Sequence, residues 1–483
     1  LAMANAHNAN AVWWRVDGFV DPNTWSEDTQ WLQRCDPPDR WRSTNHMCGP
    51  GYWFWLIPLS SGAHSLGIVC DADMHPLDTM NTHAKAMDWL RTHQPQVAAR
   101  LDRSEHTLQD FMFLRKFSYG CKQVFSRNRW ALTGEAGLFL DPFYSPGSDF
   151  IAISNTYICD LIAREQAGRD ITHHADLYQQ LYFSFYENTL TLYQDQYPLF
   201  GDEQVMPVKV IWDYTYYWAL LAPLFCSGRL TDLATLGRLR PAFNEARALN
   251  LAVQPLLRAW GAANAGGPRP EARLLDQFKI DWFCDMNAAL HDELDTEAFV
   301  ARVDANVARM RWLAGELLQR ARARHPAIDD HGLDALLASD APPPSLAPVW
   351  YADAVALRYR PRQIVLYAGD NDTHAGRLPA QVLADTQAFV ARIHAALPGT
   401  QIALLGIKPS PSRVELLPVQ RATNTALRRW AASQRNVAFI DGFTPMLDAD
   451  GRPREDLFID DRLHMNAAGY ALWRSIIAPY LVR

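Results

Sequence analysis

The stretch at residues 131–153 reads ALTGEAGLFLDPFYSPGSDFIAI, which is typical of a strand, a glycine turn and a loop stiffened by proline. Its apolar run ends at Gly134, and Glu135 supplies an acid directly afterwards. The small residues Ala136 and Gly137 let the backbone come close to a bulky partner, because they carry little or no side chain. This pattern predicts a binding site for a flat ligand.

Beyond the turn, Pro142, Pro146 and Gly147 stiffen a loop whose remaining N–H groups are expected to face that ligand. A helix is predicted over residues 151–164, and the positive end of such a helix favours an electron-rich group. Turns rich in glycine and proline often only connect secondary structure, so a purely structural role is the alternative. The number of matching features favours the ligand site.

Composition favours small-molecule chemistry over binding to nucleic acid or membranes. The 483 residues are 48% hydrophobic and 20% charged with a net charge of -7, which indicates a large core and no basic surface. The seven cysteines are scattered and lack CxxC spacing, so neither a disulfide framework nor a metal site is predicted. No apolar run is long enough to span a bilayer, and the scattered cysteines favour a reducing cytoplasm.

The first two thirds of the chain are predicted to join a sheet to a mainly helical region. Residues 41–71 are predicted to form a β-hairpin, with strand-favouring residues on both sides of a Ser-Ser-Gly turn. Extended structure is also expected over 11–20 and 116–130, and helices over 82–101, 104–114, 151–168, 173–195 and nearly all of 205–324.

A second unit is predicted after a proline-rich linker at residues 326–348. Apolar runs of strand length then alternate with helical segments, which is typical of a parallel sheet flanked by helices. The predicted strands are 364–368, 402–407 and 436–441, and the helices are 379–397, 417–433 and 467–481. The predicted fold class is therefore mixed, α+β followed by α/β.

Two motifs of the first region resemble those of flavin-dependent halogenases: WxWxIP at residues 53–58 and FxxPxxSxG at residues 139–147. The resemblance covers roughly residues 11–326. It implies an FAD-binding sheet domain with a helical cap, in an enzyme of the monooxygenase type whose flavin carries the oxidative chemistry. It also implies a small aromatic substrate, and reduced FAD supplied by a flavin reductase.

The resemblance also implies roles for particular residues. Trp53 and Trp55 would crowd the flavin and exclude water, although their period-two spacing equally allows two core residues on one strand face. Ser145 and Gly147 would border the flavin, and Gly147 the halide as well. The implied flavin contacts are Gly134, Glu135, Ala136, Gly137, Pro142, Ser145 and Gly147.

Three departures from the family pattern restrict the substrate, the halide chemistry and the extent of the flavin domain that the resemblance implies. Tryptophan halogenases carry a glutamate where this chain has Tyr144, which favours phenols, pyrroles or carrier-bound acids as substrates. Pro146 stands where the family offers the halide a backbone N–H, which proline lacks, so plain flavin oxidoreduction is an alternative to halogenation. Neither a GxGxxG turn nor the reactive lysine of the family is found, so a flavin domain truncated at its amino-terminal end is expected.

Residues 349–483 resemble SGNH (GDSL-like) hydrolases through a GxND block and a closing DxxH block. The resemblance implies that Asn371 helps to form an oxyanion hole and that His464 is a general base oriented by Asp461. The three residues are expected to cluster.

The nucleophile of such a hydrolase is not apparent. Ser339 and Ser345 lie in proline-rich surroundings rather than on a strand-to-helix turn that would expose a hydroxyl. A general base without a nucleophile has nothing to activate, so this segment is predicted to be a partial hydrolase domain.

The sequence thus predicts four parts: a halogenase-like domain at 1–168, a helical cap at 169–325, a linker at 326–348 and a partial SGNH domain at 349–483. The leading hypothesis is an FAD-dependent oxidoreductase that oxidises or halogenates an aromatic molecule. The alternatives are an esterase acting on an acyl ester, and a catalytically inactive fusion of two fragments.

Overall fold

The computed structural model describes residues 2–35, 38–103, 106–265, 275–338, 352, 356–357, 360–374 and 376–482. It contains two compact units, Leu1–Asp340 and Ala341–Arg483. Both units combine helices with strands, which confirms the predicted mixed fold class. Ser339, Ser345 and the prolines used to predict the linker lie outside the described residues.

Antiparallel strands form the sheets of the first unit. They are β1 (Ala2–Ala4), β2 (Ala9–Asp17), β3 (Asn45–Gly49), β4 (Tyr52–Pro58), β5 (Ala63–Asp71), β6 (Leu108–Leu114), β7 (Tyr119–Cys121), β8 (Phe125–Ser126) and β9 (Trp130–Ala131). The main sheet has five strands in the order β3-β4-β5-β2-β6. The predicted hairpin is confirmed as β4 and β5, in register from Tyr52 opposite Cys70 to Pro58 opposite His64.

Helices cover this sheet and extend beyond it. They are α1 (Thr29–Leu32), α2 (His83–His93), α3 (Pro95–Leu101), α4 (Pro146–Gln166), α5 (Thr172–Leu190), α6 (Val205–Ala219), α7 (Leu221–Cys226), α8 (Leu233–Arg238), α9 (Arg240–Asn264), α10 (Asp281–Ala288), α11 (Thr296–Arg324) and α12 (Leu333–Ala338). One helix was predicted over 82–101, but Pro95 opens a new helix because proline cannot donate the backbone hydrogen bond that continuation requires.

The two faces of the main sheet belong to two different cores. Trp14 and Phe54 pack with α2 and α3 on one face. Trp53 and Val69 point to the opposite face, as strand alternation requires, and pack there with the helical region. This second face carries the tryptophan motif into the interior of the unit.

The helix predicted over 104–114 is wrong, because residues 108–114 form the edge strand β6. The apolar residues Leu108, Phe111 and Leu114 recur at a helical spacing, but the strand pairs antiparallel with β2. Long-range backbone pairing therefore overrides the local pattern. Met112 and Leu114 remain 54% and 50% exposed on this edge.

The helix after the quoted stretch begins earlier than the predicted residue 151. It starts at Pro146, a position that suits proline because the first N–H of a helix has no intrahelical partner. Ser145 precedes it as the N-cap residue in the left-handed conformation, with φ 55° and ψ 38°. The predicted strand before the turn shrinks to β9, and 3-10 helices occupy Gly134–Ala136 and Pro142–Tyr144.

The predicted linker differs from the structure in its first half. Its residues 333–338 form α12, which packs against α9 and α11. Leu333 is fully buried, and Arg322 at the end of α11 binds Asp334 at 2.6 Å. The apolar face of α12 is thus covered by the helical region, which keeps this segment folded onto it.

The second unit contains the predicted parallel sheet. Its strands are β10 (Gln363–Tyr367), β11 (Gln401–Leu405) and β12 (Val437–Ile440), hydrogen-bonded in that order. Its helices are α13 (Asp370–His374), α14 (Pro379–Ala396), α15 (Leu417–Ala431) and α16 (Ala467–Ile477). Over the part of the chain that the structure describes, none of the helices in either unit has the length and apolar character that crossing a membrane requires.

Candidate functional site

A cavity of about 1110 Å³ opens in the first unit beside β3, β4, the 3-10 helix Pro142–Tyr144 and α6. Much of its wall is aromatic, with Tyr52, Trp53, Trp55, Phe143, Tyr144, Phe200 and Tyr214. The structure therefore brings Trp53 and Trp55 of the first motif together with Pro142 and Ser145 of the second. The motif loop, residues 139–147, packs against β3 and β4 through Phe143. This packing brings together two motifs that lie far apart in the sequence.

The glycine turn at 134–137 has a packing role in this structure. A Cβ at Gly134 would lie 2.5 Å from Cγ1 of Ile151, so glycine is required for α4 to approach the turn. Tyr119 donates a hydrogen bond to the Glu135 carbonyl, at 2.5 Å. Among the described residues that line the cavity, none belongs to the turn, and Gly147 is not one of them either.

A buried hydrogen-bonded chain joins the two motifs. The indole Nε1 of Trp53 donates to the Tyr197 hydroxyl at 3.0 Å, and that hydroxyl donates to Asp141. Asp141 also bonds Nε2 of His7 at 2.7 Å and accepts from the backbone N–H of Phe143 at 2.9 Å. Burial holds the pKa of Tyr197 well above its usual value, so the phenol stays a donor.

A second buried network begins at Tyr144, the residue that departs from tryptophan halogenases. Its hydroxyl donates to Oδ2 of Asp213 at 2.7 Å, and Nζ of Lys209 binds the same oxygen at 2.6 Å. Gln254 donates to the other carboxylate oxygen at 2.8 Å. Burial raises the pKa of Asp213 and lowers that of Lys209, while each charge opposes the effect on its partner. The network fixes the motif loop to α6.

Trp55 owes its position to a glycine on the neighbouring strand. Its ring lies over Gly67 of β5, where a Cβ would come within 2.2 Å of the indole. Its Nε1 donates to Oγ of Ser65 at 3.1 Å, and its ring centroid lies 5.7 Å from that of Trp53. The two indoles therefore form one aromatic wall of the cavity.

His46, which belongs to neither motif, faces the same cavity from β3. Its ring lies 4.7 Å from the ring of Trp53 and 5.1 Å from that of Phe143. The surrounding protein desolvates the ring and lowers the pKa of His46 to about 4, against the opposing effect of Asp141. A single histidine outside any motif gives no sequence signal, so only the register of β3 with β4 reveals it.

The cavity suits an aromatic ring better than a complete dinucleotide. Its aromatic walls match the flat ring system of a flavin, or of an aromatic substrate, in size and polarity. No lysine or arginine occurs among the described residues that line it, whereas Asp202 and Glu203 do. The diphosphate of FAD would lack a cationic partner there, so the walls fit the ring part of such a cofactor and leave its phosphates without a site.

In the second unit, candidate residues follow the carboxyl ends of the parallel strands, where such sheets place their binding sites. Asp370 follows β10 and binds Nζ of Lys408 at 2.9 Å and Nη1 of Arg413 at 2.8 Å. Burial opposes its ionisation, but the two cations outweigh that effect and hold the pKa of Asp370 below its usual value. Arg413 also donates to Oδ1 of Asn371 at 3.1 Å, which fixes that amide.

The predicted base and its orienting acid are paired. Nδ1 of His464 lies 2.5 Å from Oδ2 of Asp461, and the backbone N–H of His464 donates to the other oxygen at 2.8 Å. The side-chain hydrogen bond is the main cause that lowers the pKa of Asp461 to about 2. A backbone hydrogen bond of 3.0 Å from Ser412 to Arg462 joins this loop to the loop that follows β11. The described contacts of Asn371 and of the acid–base pair do not include each other.

Comparison with known proteins shows what each part of the chain is similar to. Residues 344–472 match the model of the GDSL-like Lipase/Acylhydrolase family. Further similarity is to flavin-dependent halogenases, so both resemblances inferred from the motifs are confirmed.

Two curated relatives carry the halogenase similarity. The flavin-dependent halogenase chlA of Dictyostelium discoideum is 27% identical over 186 residues, which are 38% of this chain and 30% of the relative. The 1H-pyrrole-2-carbonyl-[peptidyl-carrier protein] brominase of Pseudoalteromonas luteoviolacea is 29% identical over 140 residues, 29% of this chain and 34% of the relative. The chain thus spans about a third of the length of the curated relatives it matches.

Among solved structures, a flavin-dependent brominase is similar over 40% of this chain and 44% of its own. The sequence identity is 22% and the TM-score 0.32.

Proposed function

We propose that the first unit is part of an FAD-dependent, halogenase-like oxidoreductase that acts on an aromatic molecule, either a phenol, a pyrrole or a carrier-bound acid. The observation that carries this proposal is the cavity in which Trp53, Trp55, Pro142 and Ser145 meet. The similarity to a flavin-dependent halogenase and to a brominase of a carrier-bound pyrrole supports it. A flavin reductase would supply reduced FAD.

The chain's own residues would bind and shield the reactants. Trp53, Trp55 and Phe143 offer rings against which an aromatic substrate can stack, with Trp53 held by its hydrogen bond to Tyr197. Packed indoles also keep water away from a reactive oxidant. When bound, the flavin would supply the activation of oxygen.

The residues of the motif loop would lie nearest the cofactor. Ser145 faces the cavity and Gly147 follows on the first turn of α4, so we assign both to the border between flavin and halide. Residues 134–137 would act through the backbone of their turn, in which Gly134 lets α4 approach. Pro146 removes one donor at this point, which favours weak halide binding and leaves room for plain oxidation.

Retention of flavin tests the proposal. The purified chain, incubated with FAD and freed of excess, should keep the visible absorbance of bound flavin. Ser145→Trp should prevent this uptake by filling the motif end of the cavity, whereas Ser227→Trp, on an exposed residue after α7, should not. A colourless wild-type protein would contradict the proposal, and equal uptake by both variants would contradict the assignment of the site.

Product analysis separates halogenation from plain oxidation. With a flavin reductase, bromide and a phenol, a brominated product supports halide use, and an oxygenated product formed equally without bromide supports oxidation alone. Loss of either product on removal of the reductase would confirm that reduced flavin comes from that partner.

A second candidate function is ester hydrolysis by the second unit, which the His464–Asp461 pair favours. Turnover of p-nitrophenyl acetate that disappears in His464→Ala and persists in His394→Ala would support it. His394 is a suitable control because it bonds the Thr400 carbonyl rather than an acid. Absence of turnover together with absence of flavin uptake would leave the inactive fusion.

A further inference from the structure

His46 is a polar residue of the cavity wall that lies beside its aromatic rings. Its backbone pairs with that of Trp55 across β3 and β4, and its ring packs beside Trp53 and Phe143. The side chain is exposed, and it lines the cavity together with the rings of Trp53, Trp55 and Phe143. A ligand stacked on these rings would therefore meet the imidazole edge.

Among the residues that the structure describes, none forms a hydrogen bond with the ring nitrogens of His46. The described residues give the imidazole two aromatic neighbours and no hydrogen bond, whereas the neighbouring indole of Trp53 is paired with Tyr197. Because desolvation keeps the imidazole neutral near pH 7, it offers one donor and one acceptor. Both capacities are free within the described residues, so a ligand in the cavity can use them.

The charge of the cavity wall restricts which ligand can do so. Asp202 and Glu203 contribute the formal charges of the described lining residues, and no cation balances them. A free carboxylate on the ligand would be repelled, whereas a neutral aromatic molecule that carries an O–H or N–H would not.

We propose that His46 is a specificity-determining residue that hydrogen-bonds the hydroxyl or ring N–H of a neutral aromatic substrate stacked on Trp53. The inference rests on the proposed function, because it concerns the aromatic substrate of that same cavity. It favours neutral phenols and pyrroles over their O- or N-methylated analogues and over free aromatic acids. Carrier-bound pyrrole acids remain compatible with it, since a thioester is uncharged.

The test compares ligands that differ in one hydrogen-bonding group. Binding of 2-naphthol and 2-methoxynaphthalene to the full chain is measured by quenching of tryptophan fluorescence. The wild type should bind 2-naphthol about tenfold more tightly, the ratio expected from one ligand hydrogen bond of about 1.4 kcal/mol. The free acid 6-hydroxy-2-naphthoate should bind more weakly than 2-naphthol.

Variants of His46 assign the preference. His46→Phe keeps a ring against Trp53 but removes both nitrogens, so the ratio should fall to about one, with binding of the methoxy compound retained. His46→Gln keeps a donor and an acceptor and should preserve most of the preference. His173→Phe, on an exposed face of α5 and outside the cavity lining, should behave as the wild type.

The inference is overturned by an unchanged ratio in His46→Phe, or by a wild-type chain that binds neither naphthalene. Equal loss of both ligands in His46→Phe, with an altered near-ultraviolet spectrum, would show a structural role and also overturn it. FAD uptake measured on the same preparations separates this inference from the proposed function. Uptake without a His46-dependent ratio refutes the inference alone, and a His46-dependent ratio without uptake refutes the flavin proposal alone.

Discussion

Lys209→Met should be one of the most destabilising single changes in the first unit, because it leaves a buried carboxylate without its cation. Lys209 and Asp213 lie one turn apart on α6, with 0% and 1% of their side chains exposed. Tyr144 and Gln254 still donate to Asp213 in the variant, but neither carries charge. Breaking a fully buried pair on one side costs about 3–5 kcal/mol of unfolding free energy.

Urea unfolding followed by tryptophan fluorescence measures this loss. Lys209→Met combined with Asp213→Asn removes both charges, so the double variant should recover about half of the lost stability or more. The surface pair Lys279–Asp276 provides a matched control, since Lys279 is 82% exposed. Lys279→Met should change stability by less than about 1 kcal/mol. A Lys209→Met variant that loses no more stability than this control, or a double variant as unstable as the single one, would contradict the prediction.

Three further predictions concern the walls of the cavity and the sheet that supports it. Gly67→Ala should cost about 1–3 kcal/mol and change the near-ultraviolet spectrum, because the added methyl group displaces the ring of Trp55; an unchanged spectrum would contradict this. Trp53→Phe should lose about 1 kcal/mol with the hydrogen bond to Tyr197, and a melting temperature equal to that of the wild type would refute it. Burial of His64 lowers its pKa from 6.5 to about 4, so protonation favours the unfolded chain. The free energy of unfolding should therefore fall as the pH drops from about 6.5 to about 4. The expected loss is about 2 kcal/mol after allowance for solvent, measured by urea unfolding at both ends of that range, and His64→Gln should flatten the pH profile.

The sequence predicts those elements of the fold that local chemistry decides. The hairpin of β4 and β5 follows from strand-favouring residues on both sides of a Ser-Ser-Gly turn, and the parallel sheet of the second unit follows from apolar runs between helices. β6 could not be predicted in this way. Leu108, Phe111 and Leu114 repeat at a helical interval, and only the pairing with β2, nearly a hundred residues earlier in the chain, makes them a strand.

The candidate site likewise contains residues that sequence motifs indicate and residues that only the folded structure reveals. Trp53, Trp55 and Ser145, which the two motifs contain, line one cavity, and their roles there stay a prediction. His46 and the Lys209–Asp213 pair have no motif, and a lysine followed by an aspartate one turn later normally indicates a solvent-exposed helix face. Their significance comes from burial, which depends on the packing of distant elements.

The conformation of Ser145 has a consequence for how firmly the rim of the cavity is held. A residue other than glycine with φ 55° and ψ 38° occupies a sparsely populated region of backbone space, at a cost of about 1 kcal/mol. Pro146 on one side and the 3-10 helix Pro142–Tyr144 on the other leave the serine little freedom to relax. The backbone strain at Ser145 is therefore retained, because the structure on both sides of it prevents relaxation. Glycine at this position would adopt the same φ and ψ at little cost, which removes the strain. It would also give the backbone more freedom, so the opening for the ligand would be less well defined.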